Sequence, residues 1–393
     1  MAADPLAGDS ALDDAGYMIR VGFGATVLAR GMAGGELDGI GIYAQEMLQR
    51  LKLSDGVQVQ PFVFGASAPS ASSLGALHLP AFGPGSVLSA VTGLPYPASE
   101  KLANRIDILH ATDHMIPNVR RVPVVATVMD AIPLANPQWG SRRLRALKNA
   151  LWRHTTKYAS QVITISEYAK QEISRYFGVP LSRITVVPLG VDERWFCSPS
   201  ADEVTQVRLK YNLPKRYFLF VGTLQPRKNL LRVIEAHQAL SLAMQAELPL
   251  VVVGREGWGC DDTLRLLKDH RYGSLRWLQY VTSTDLRLLF SGGVALVFPS
   301  LSEGFGLPVL EAFSAGLPVI TSNTTALPEV AGDAACYVDP VDVAAIRDAM
   351  RCLAEDSSLA LSLRRKGLAR AKLFPWGNTV QATINVYRTV LGY

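Results

Sequence analysis

The stretch that decides the fold is Pro299-Ser-Leu-Ser-Glu303-Gly304-Phe305-Gly306-Leu307-Pro308-Val-Leu-Glu311-Ala312. An apolar run over residues 293–299 predicts a buried strand, a glycine loop follows, and Pro308 lies where a first helical position is expected. Gly304 and Gly306 let the backbone approach a ligand, and the helix start adds N–H donors and a positive dipole end. The pattern predicts an anion-binding loop; a plain strand–loop–helix junction with a capping Glu is the alternative.

A second strand, loop and helix start is predicted over residues 217–230, and it carries two adjacent cations, Arg227 and Lys228. A lone basic pair usually belongs to a solvated turn. At the carboxyl end of a strand in the same domain as the glycine loop, the pair favours a diphosphate clamp. Glu303 and Glu311 flank the anion loop. Because two carboxylates there cannot both bind phosphate, we expect them to contact hydroxyl-rich parts of a ligand.

Strand-like and helical patterns alternate along all 393 residues, which is typical of an α/β protein with parallel sheets. The pattern predicts two Rossmann-like doubly wound domains that face each other across a cleft. We expect a disordered tail over 1–17, a first domain over 18–195 joined by a C-terminal helix over 376–393, and a second domain over 196–375. Strands are predicted at 19–23, 57–64, 106–110, 122–128, 161–165, 184–188, 217–222, 248–254, 275–280, 293–299 and 318–322, and helices at 41–52, 141–159, 166–177 and 376–391.

The composition excludes several classes of protein. Hydrophobic residues make up 49% and charged residues 19%, so the chain can bury large cores. The formal net charge of +5 suits an anionic small molecule or surface, and is weak evidence for nucleic acid, which we do not expect as a partner. Four dispersed cysteines without a CxxC pair predict neither a zinc site nor a disulfide framework, and indicate the cytoplasm.

Several motifs together resemble family 4 of the retaining glycosyltransferases, which have the GT-B fold. They are the glycine-loop stretch with Glu303 and Glu311 eight residues apart, Val221-Gly-Thr-Leu-Gln-Pro-Arg-Lys-Asn-Leu230, and Leu327-Pro-Glu-Val-Ala-Gly-Asp333. The resemblance runs from about residue 19 to the C-terminus and is strongest over 217–340. It implies a nucleotide-sugar donor held mainly by the second domain and an acceptor bound by the first.

The resemblance also implies roles for individual residues. Arg227 and Lys228 bind the diphosphate and stabilise it as it leaves, Glu303 lies against the sugar, and Glu311 takes the ribose hydroxyls. Further donor-binding positions are Gly41, Thr223, Gly304, Phe305, Gly306 and Leu307. Relatives often have Arg where this chain has Thr223, so the clamp is expected to depend more on Arg227. No cofactor and no metal are expected, because the chain has no Asp-x-Asp and protein cations replace the metal.

The sharpest departure from the family lies at Met129-Asp130, where relatives usually have His-Asp. Asp130 is predicted to be catalytic, and Met129 to lie near the primary hydroxyl of the transferred sugar. His114, or His110, could supply the missing polar group. An equally open interpretation is that both histidines are strand-end residues packed in the core.

A basic segment, residues 139–158, holds six cations and no acid, with Leu144, Leu147, Leu151 and Tyr158 at helical spacing as expected core residues. Two interpretations remain open. The segment docks on an anionic membrane surface, or it is a solvated face that guides an anionic acceptor. We expect a cytoplasmic location. If the segment docks on a membrane, the protein would be peripheral on the inner face of that membrane.

The resulting hypothesis is a retaining, metal-independent hexosyltransferase that acts in polysaccharide or lipopolysaccharide synthesis. It would move mannose, or a 6-deoxyhexose such as rhamnose, from a nucleotide diphosphate sugar to a glycan or lipid-linked acceptor. Residues 322–333 resemble mannosyl- and rhamnosyltransferases, which favours a GDP-sugar. The alternatives are a sugar-nucleotide epimerase of the same two-domain form and a non-catalytic nucleotide-sugar-binding scaffold.

Overall fold

The computed structural model describes residues 18–35, 37–65, 69–139, 145–269 and 273–393. The predicted tail over 1–17 lies outside the described residues. The strands are β1 (Ile19–Gly24), β2 (Val57–Phe64), β3 (Leu77–Leu79), β4 (Ile108–Ala111), β5 (Val124–Thr127), β6 (Gln161–Thr164), β7 (Ile184–Val186), β8 (Phe218–Val221), β9 (Leu250–Val253), β10 (Leu275–Leu278), β11 (Ala295–Phe298), β12 (Val319–Ser322) and β13 (Cys336–Val338).

The α-helices lie mostly between consecutive strands. They are α1 (Thr26–Gly34), α2 (Gly39–Lys52), α3 (Pro69–Ser73), α4 (Phe82–Thr92), α5 (Ser99–Ala103), α6 (Ile132–Ala135), α7 (Arg145–Thr156), α8 (Glu167–Phe177), α9 (Ala201–Lys210), α10 (Leu230–Gln238), α11 (Leu242–Glu247), α12 (Asp261–Lys268), α13 (Ser283–Gly292), α14 (Leu307–Ser314), α15 (Leu327–Ala331), α16 (Val343–Glu355), α17 (Ser357–Ala371) and α18 (Trp376–Leu391). None of the helices in the described part of the chain is long and apolar enough to cross a membrane.

The first compact unit comprises the described residues up to Ala111 together with Pro117–Val124. Its strands are parallel in the order β3-β2-β1-β4, with Ile19 opposite Val57. β1 is buried except at Arg20, as is typical of a parallel strand in a sheet that is covered on both faces. α2 begins at an Asp38 cap, whose carboxylate accepts the N–H of Gly41 at 2.8 Å.

The second unit comprises Thr112–Ile116 and Val125–Tyr393. It contains β5, β6 and β7 as parallel neighbours, and a six-stranded parallel sheet in the order β10-β9-β8-β11-β12-β13. The order reverses between β8 and β11, which makes their carboxyl ends the topological switch point where doubly wound sheets bind ligands. The core of this sheet includes Phe218, Phe220, Val252 and Val297, all fully buried.

The predicted strands are all present, with ends that differ from the prediction by at most two residues, and the predicted α/β class is confirmed. β3 and β13 were not predicted. The last helix has the predicted bounds and packs against β6, and Thr379 in it donates to the carbonyl of Pro188 at 2.8 Å. The predicted boundary near residue 196 lies inside the second unit and stays a prediction.

The basic helix α7 ends at Thr156, three residues before the predicted end at 159. Arg142, Arg143 and Leu144 lie outside the described residues. The assignment of Leu147 to the core was wrong, because 56% of this residue is exposed. α7 is anchored instead by Thr155 and Thr156, which are buried, and by Trp152, whose indole ring stacks on the imidazole of His114.

Candidate functional site: a buried charge cluster at the switch point

The loops after β8 and β11 begin side by side, because these strands are parallel neighbours with Leu296 opposite Leu219. The loop after β8 ends in a short 3-10 helix, Pro226–Lys228, which carries both cations of the predicted clamp. The loop after β11 carries Glu303 and the two glycines. The Arg227 carbonyl accepts the N–H of Leu301 at 2.8 Å, so the two loops are also joined through their backbones.

Glu303 binds both cations of the clamp. Its Oε1 lies 2.6 Å from Lys228 Nζ, and its Oε2 lies 2.9 Å from Arg227 Nη1. All three side chains are mostly shielded: Lys228 exposes 11%, Glu303 9% and Arg227 22% of its side chain. Lys228 Nζ also lies 4.7 Å from the centre of the Phe298 ring, a cation–π contact. Sequence reasoning assigned these residues to one site, and it missed that Glu303 pairs with both cations.

Burial and charge act in opposite directions on this cluster. Burial opposes ionisation of Glu303, but Lys228 and Arg227 outweigh it and lower its pKa to about 2. Burial lowers the pKa of Lys228, and Glu303 counteracts this shift. Because a carboxylate with so low a pKa is a weak base, Glu303 is suited to orienting cations and hydroxyl groups and unsuited to accepting a proton.

Asp130 follows β5 and belongs to the same electrostatic environment. Burial raises its pKa, while Arg227 and the N–H of Ile132, which donates to its Oδ1 at 3.0 Å, counteract the rise. Burial would lower the pKa of Arg227, but Glu303 and Asp130 raise it. The cluster thus contains two cations and two carboxyl groups, and an incoming diphosphate would compete with the carboxylates for the cations.

Gly304 lies against Met129, where the chain departs from the family pattern, and against Asp130, which it keeps. A Cβ at this position would lie 2.9 Å from the carbonyl oxygen of Met129 and 3.0 Å from Cβ of Asp130, so only glycine fits without a shift. The carbonyl of Gly304 accepts the hydroxyl of Ser166 at 2.7 Å, and this hydroxyl also caps α8. The glycine loop is therefore fixed against the ends of β5 and β6.

The helix α14 positions the other predicted donor contacts. Its N-cap residue Gly306 has φ +120, and Pro308 is the second residue of the helix, one position later than predicted. Phe305 is buried and meets the ring of Phe374 edge-on, with ring centres 6.0 Å apart. The first N–H groups of the helix lack intrahelical acceptors, which suits an anion. Burial raises the pKa of Glu311 to about 7, against an opposing effect of Lys228.

Asn229 holds the clamp loop in place and was missed by sequence reasoning. Its backbone has φ +63, and its buried side-chain amide donates to the carbonyl of Pro299 at 2.9 Å and that of Pro340 at 2.6 Å. Arg232 donates to its Oδ1 at 2.9 Å. The amide thus joins the loops after β8, β11 and β13. The sequence did offer a signal for this role: Asn tolerates the left-handed conformation, and Asn229 stands directly before a predicted helix start.

Glu329 makes a second unpredicted link. Its carboxylate accepts the backbone N–H groups of Glu167 at 2.8 Å and Tyr168 at 3.2 Å, at the positive end of the α8 dipole. The sequence signal was the Leu327-Pro-Glu329 motif, whose role the residues alone did not reveal. Glu329 connects α15, in the second half of the chain, to the helix that Ser166 caps.

The remaining predicted residues lie in distinct environments. Gly41 uses its N–H in the α2 cap, and its predicted contact with a donor phosphate stays a prediction. Thr223 follows β8 and is half-buried, and Met129 is buried. The His114 ring stacks between Trp152 and Phe177, with burial and Lys148 lowering its pKa to about 4. In the described ranges, no cluster of three or more His, Cys, Asp or Glu is placed to hold a metal ion.

Two family profiles match the chain: Glycosyltransferase Family 4 over residues 37–195, and Glycosyl transferases group 1 over residues 203–370. The O-antigen chain mannosyltransferase B of Escherichia coli is 36% identical over 285 residues, which are 72% of this chain and 74% of that protein. The chain belongs to glycosyltransferase family 4. This confirms the predicted family, and the protein is therefore a glycosyltransferase.

Solved structures of glycosyltransferases have the same fold. Sucrose-phosphate synthase from Thermosynechococcus elongatus superposes with a TM-score of 0.70 at 18% identity, over 95% of this chain and 99% of that one. WaaG, a glycosyltransferase involved in lipopolysaccharide biosynthesis, has a TM-score of 0.69 at 15% identity, over 94% and 99%. The predicted GT-B fold is confirmed.

Proposed function

We propose that this glycosyltransferase transfers mannose from GDP-mannose, with retention of configuration, to a lipid-linked glycan acceptor during O-antigen synthesis. The 36% identity to an O-antigen chain mannosyltransferase supports the sugar and the pathway. The observation that supports the chemistry is the Arg227–Glu303–Lys228 cluster, because a buried lysine and a partly shielded arginine lie together at the switch point, where doubly wound sheets bind ligands.

In this proposal the clamp cations exchange one anion for another. Without donor, Glu303 satisfies Arg227 and Lys228. When the diphosphate enters, both cations turn part of their charge to its oxygens, and their attraction grows as the bond between the sugar and the phosphate breaks. Glu303 then has a freed carboxylate oxygen that can accept a sugar hydroxyl. Glu311, one turn into α14, accepts the ribose hydroxyls, and Asp130 lies at the glycine loop beside the sugar.

We also propose that the reaction needs no metal ion, since Arg227 and Lys228 supply two positive charges at the position of the leaving group. The test is turnover in excess EDTA. Full activity is expected. Loss of activity that returns on addition of Mg²⁺ or Mn²⁺ would contradict the proposal.

The decisive experiment combines donor binding with product analysis. We expect GDP-mannose to raise the melting temperature more than UDP-glucose or UDP-galactose at the same concentration, because ligand binding stabilises the native state. With a mannose-terminated, lipid-linked acceptor, the anomeric proton–carbon coupling of the product should show the α linkage of the donor. Acceptor-independent release of an altered free sugar nucleotide would indicate an epimerase, and binding without any turnover a scaffold.

The location that fits this function is the cytoplasmic side of the membrane, in peripheral contact with it. The basic segment over 139–158 was the predicted contact surface. Within its described part, Lys148 Nζ lies 4.3 Å from the centre of the Trp152 ring, and Arg153 donates to the carbonyl of Tyr176 at 2.9 Å. These contacts do not distinguish the membrane-surface interpretation from the solvated-face interpretation, and both stay predictions for this stretch of α7.

A further inference from the structure

The helix α4 has its polarity reversed. The residues that it buries are small and include Gly85, Ser86 and Ser89, whereas its aliphatic residues are exposed: Val87 by 42%, Leu88 by 53% and Val91 by 81%. Leu94, just beyond its end, is 58% exposed. A surface helix normally presents charged or polar residues to water. A contiguous aliphatic patch of this kind on a protein surface usually marks an interaction site.

The inward face shows that this orientation is firmly held. A Cβ at Gly85 would lie 2.6 Å from the ring of Tyr96, so the helix packs directly on that ring. The hydroxyl of Tyr96 donates to the carbonyl of Pro80 at 2.7 Å, and Phe82 stacks on the same ring with centres 6.3 Å apart. The helix cannot rotate its aliphatic residues inward without moving these aromatic contacts.

The helix α4 carries no charged side chain, but an arginine lies at its C-terminal end. Residues 79–99 contain no Asp, Glu, Lys or Arg. At the end of α4, Arg120 donates to the carbonyl of Gly93 at 3.1 Å, and Asn118 donates to the Ser89 hydroxyl at 3.2 Å. The first bond holds the exposed Arg120 at the end of the aliphatic face, and Arg121, the next residue in the chain, is also exposed. We name this set, Val87, Leu88, Val91, Leu94, Arg120 and Arg121, the α4 face.

We propose that the α4 face docks on the surface of an anionic phospholipid bilayer. Its aliphatic side chains would enter the boundary between headgroups and acyl chains, and the two arginines would bind lipid phosphates. This surface lies on a different segment from the basic residues 139–158, and the inference does not depend on which sugar the enzyme transfers.

A bilayer fits the α4 face better than a protein does. The face is a convex helix surface of Val and Leu, residue types that are under-represented among the energetic anchors of protein interfaces. A fluid bilayer adapts to a convex surface, whereas a protein partner would need a matching groove. The flanking arginines complement the negative charge of phosphatidylglycerol.

The test is co-sedimentation of the full chain with vesicles of phosphatidylcholine and phosphatidylglycerol at 3:1, and with phosphatidylcholine alone. The wild type should bind the mixed vesicles several-fold more tightly than the neutral ones. Leu88→Asp/Val91→Asp should weaken binding at least fivefold, and the milder Leu88→Ser/Val91→Ser should also weaken it. Arg120→Gln should remove most of the preference for the anionic vesicles.

The matched control is Leu53→Asp/Leu209→Asp, which adds the same charges at leucines that are 84% and 69% exposed outside the α4 face. It should bind like the wild type, and all variants should keep the wild-type melting temperature. The proposal is overturned if the α4 variants bind as well as the wild type. It is also overturned if only Arg142→Glu/Arg143→Glu/Arg145→Glu abolishes binding, or if the wild type ignores vesicles and light scattering shows a dimer that the α4 variants lose.

Discussion

Lys228 Nζ and Glu303 Oε1 lie 2.6 Å apart, in a cluster where Glu303 also binds Arg227. A pair of cations gathered for a leaving group would repel each other in an empty site. Glu303 reduces this repulsion, because each of its two carboxylate oxygens binds one of the cations. The same carboxylate that prepares the clamp must give way when a diphosphate arrives, so stability without donor and affinity for donor are linked through one residue.

Glu303→Gln should reveal this link. It leaves Lys228 and Arg227 buried without their anion, so we expect the free energy of unfolding at pH 7 to fall by about 3 kcal/mol. GDP should then stabilise the variant more than it stabilises the wild type. Glu247→Gln, which breaks only the exposed pair with Arg216, is the control and should change little. Equal stabilisation of variant and wild type by GDP in thermal melts would rule out this exchange of anions.

The pH dependence of wild-type stability provides a separate check on the same residue. The folded pKa of Glu303, about 2, lies below its ordinary value of 4.5. Its contribution to stability is therefore complete above pH 4.5 and is lost as the pH falls toward 2. The loss should be absent in Glu303→Gln.

Arg227→Ala and Lys228→Ala should each lower kcat by a factor of about 30 to 1000, which is 2–4 kcal/mol of lost transition-state stabilisation. The reason is that both cations face charge that increases as the diphosphate leaves. Arg216→Ala, at an exposed arginine of the same unit, should leave kcat unchanged. If both clamp variants retain kcat within threefold of the wild type, under conditions where they are folded, the clamp has no catalytic role.

Much of this site was predictable from the sequence, for local reasons. The glycine loop and the start of α14 follow from the position of Pro308 after a buried strand, and the cations follow from a second loop of the same kind. β3 and β13 have three residues each, too few to show a period of two. The contacts of Asn229 and Glu329 join segments 70 to 162 residues apart, so they depend on tertiary structure that no local pattern encodes.

Leu147 and α4 show the same limit for helices. Helical spacing of apolar residues predicts a buried stripe, but at Leu147 the apolar side chain is exposed, and in α4 small residues take the buried side. The spacing identifies a helix. Which face is buried is decided by neighbours such as the Tyr96 ring, which admits Gly85 and no larger residue.

Glu311 should make donor binding depend on pH. Burial raises its pKa to about 7, so at pH 6 it is mostly protonated and at pH 8 mostly ionised. Two ribose hydroxyls need two acceptors, which the ionised carboxylate supplies. The Kd for GDP should therefore decrease from pH 6 to pH 8, and the decrease should be larger in the wild type than in Glu311→Gln. The variant serves as the control, because ionisation of the GDP phosphate affects both proteins equally. Parallel pH profiles, measured by calorimetry, would exclude this role.

The same substitution should increase stability. A raised folded pKa means that the contribution of Glu311 is present below its unfolded value of 4.5 and is lost as the pH rises through about 7. Glu311→Gln should therefore be more stable than the wild type at pH 8, by about 2–3 kcal/mol in urea unfolding, while kcat at saturating donor changes little.

Met129 should determine how the enzyme treats carbon 6 of the donor sugar. Its thioether cannot donate a hydrogen bond and accepts only weakly, so a 6-hydroxyl beside it would be left poorly paired, at a cost of about 1–3 kcal/mol. A 6-deoxy sugar presents a methyl group, which suits a flexible apolar partner. Met129 is buried, and its carbonyl lies against Gly304 of the glycine loop. We expect the wild type to accept GDP-rhamnose beside GDP-mannose.

Met129→His should shift this preference toward GDP-mannose, since an imidazole can both donate and accept. The measurement is the ratio of kcat/KM values for the two donors in direct competition, and the expected shift is about 5- to 100-fold. Met129→Leu, which keeps an apolar side chain of similar size, is the control and should retain the wild-type ratio. A wild type that ignores GDP-rhamnose, together with an unchanged ratio in Met129→His, would show that the side chain does not face the sugar.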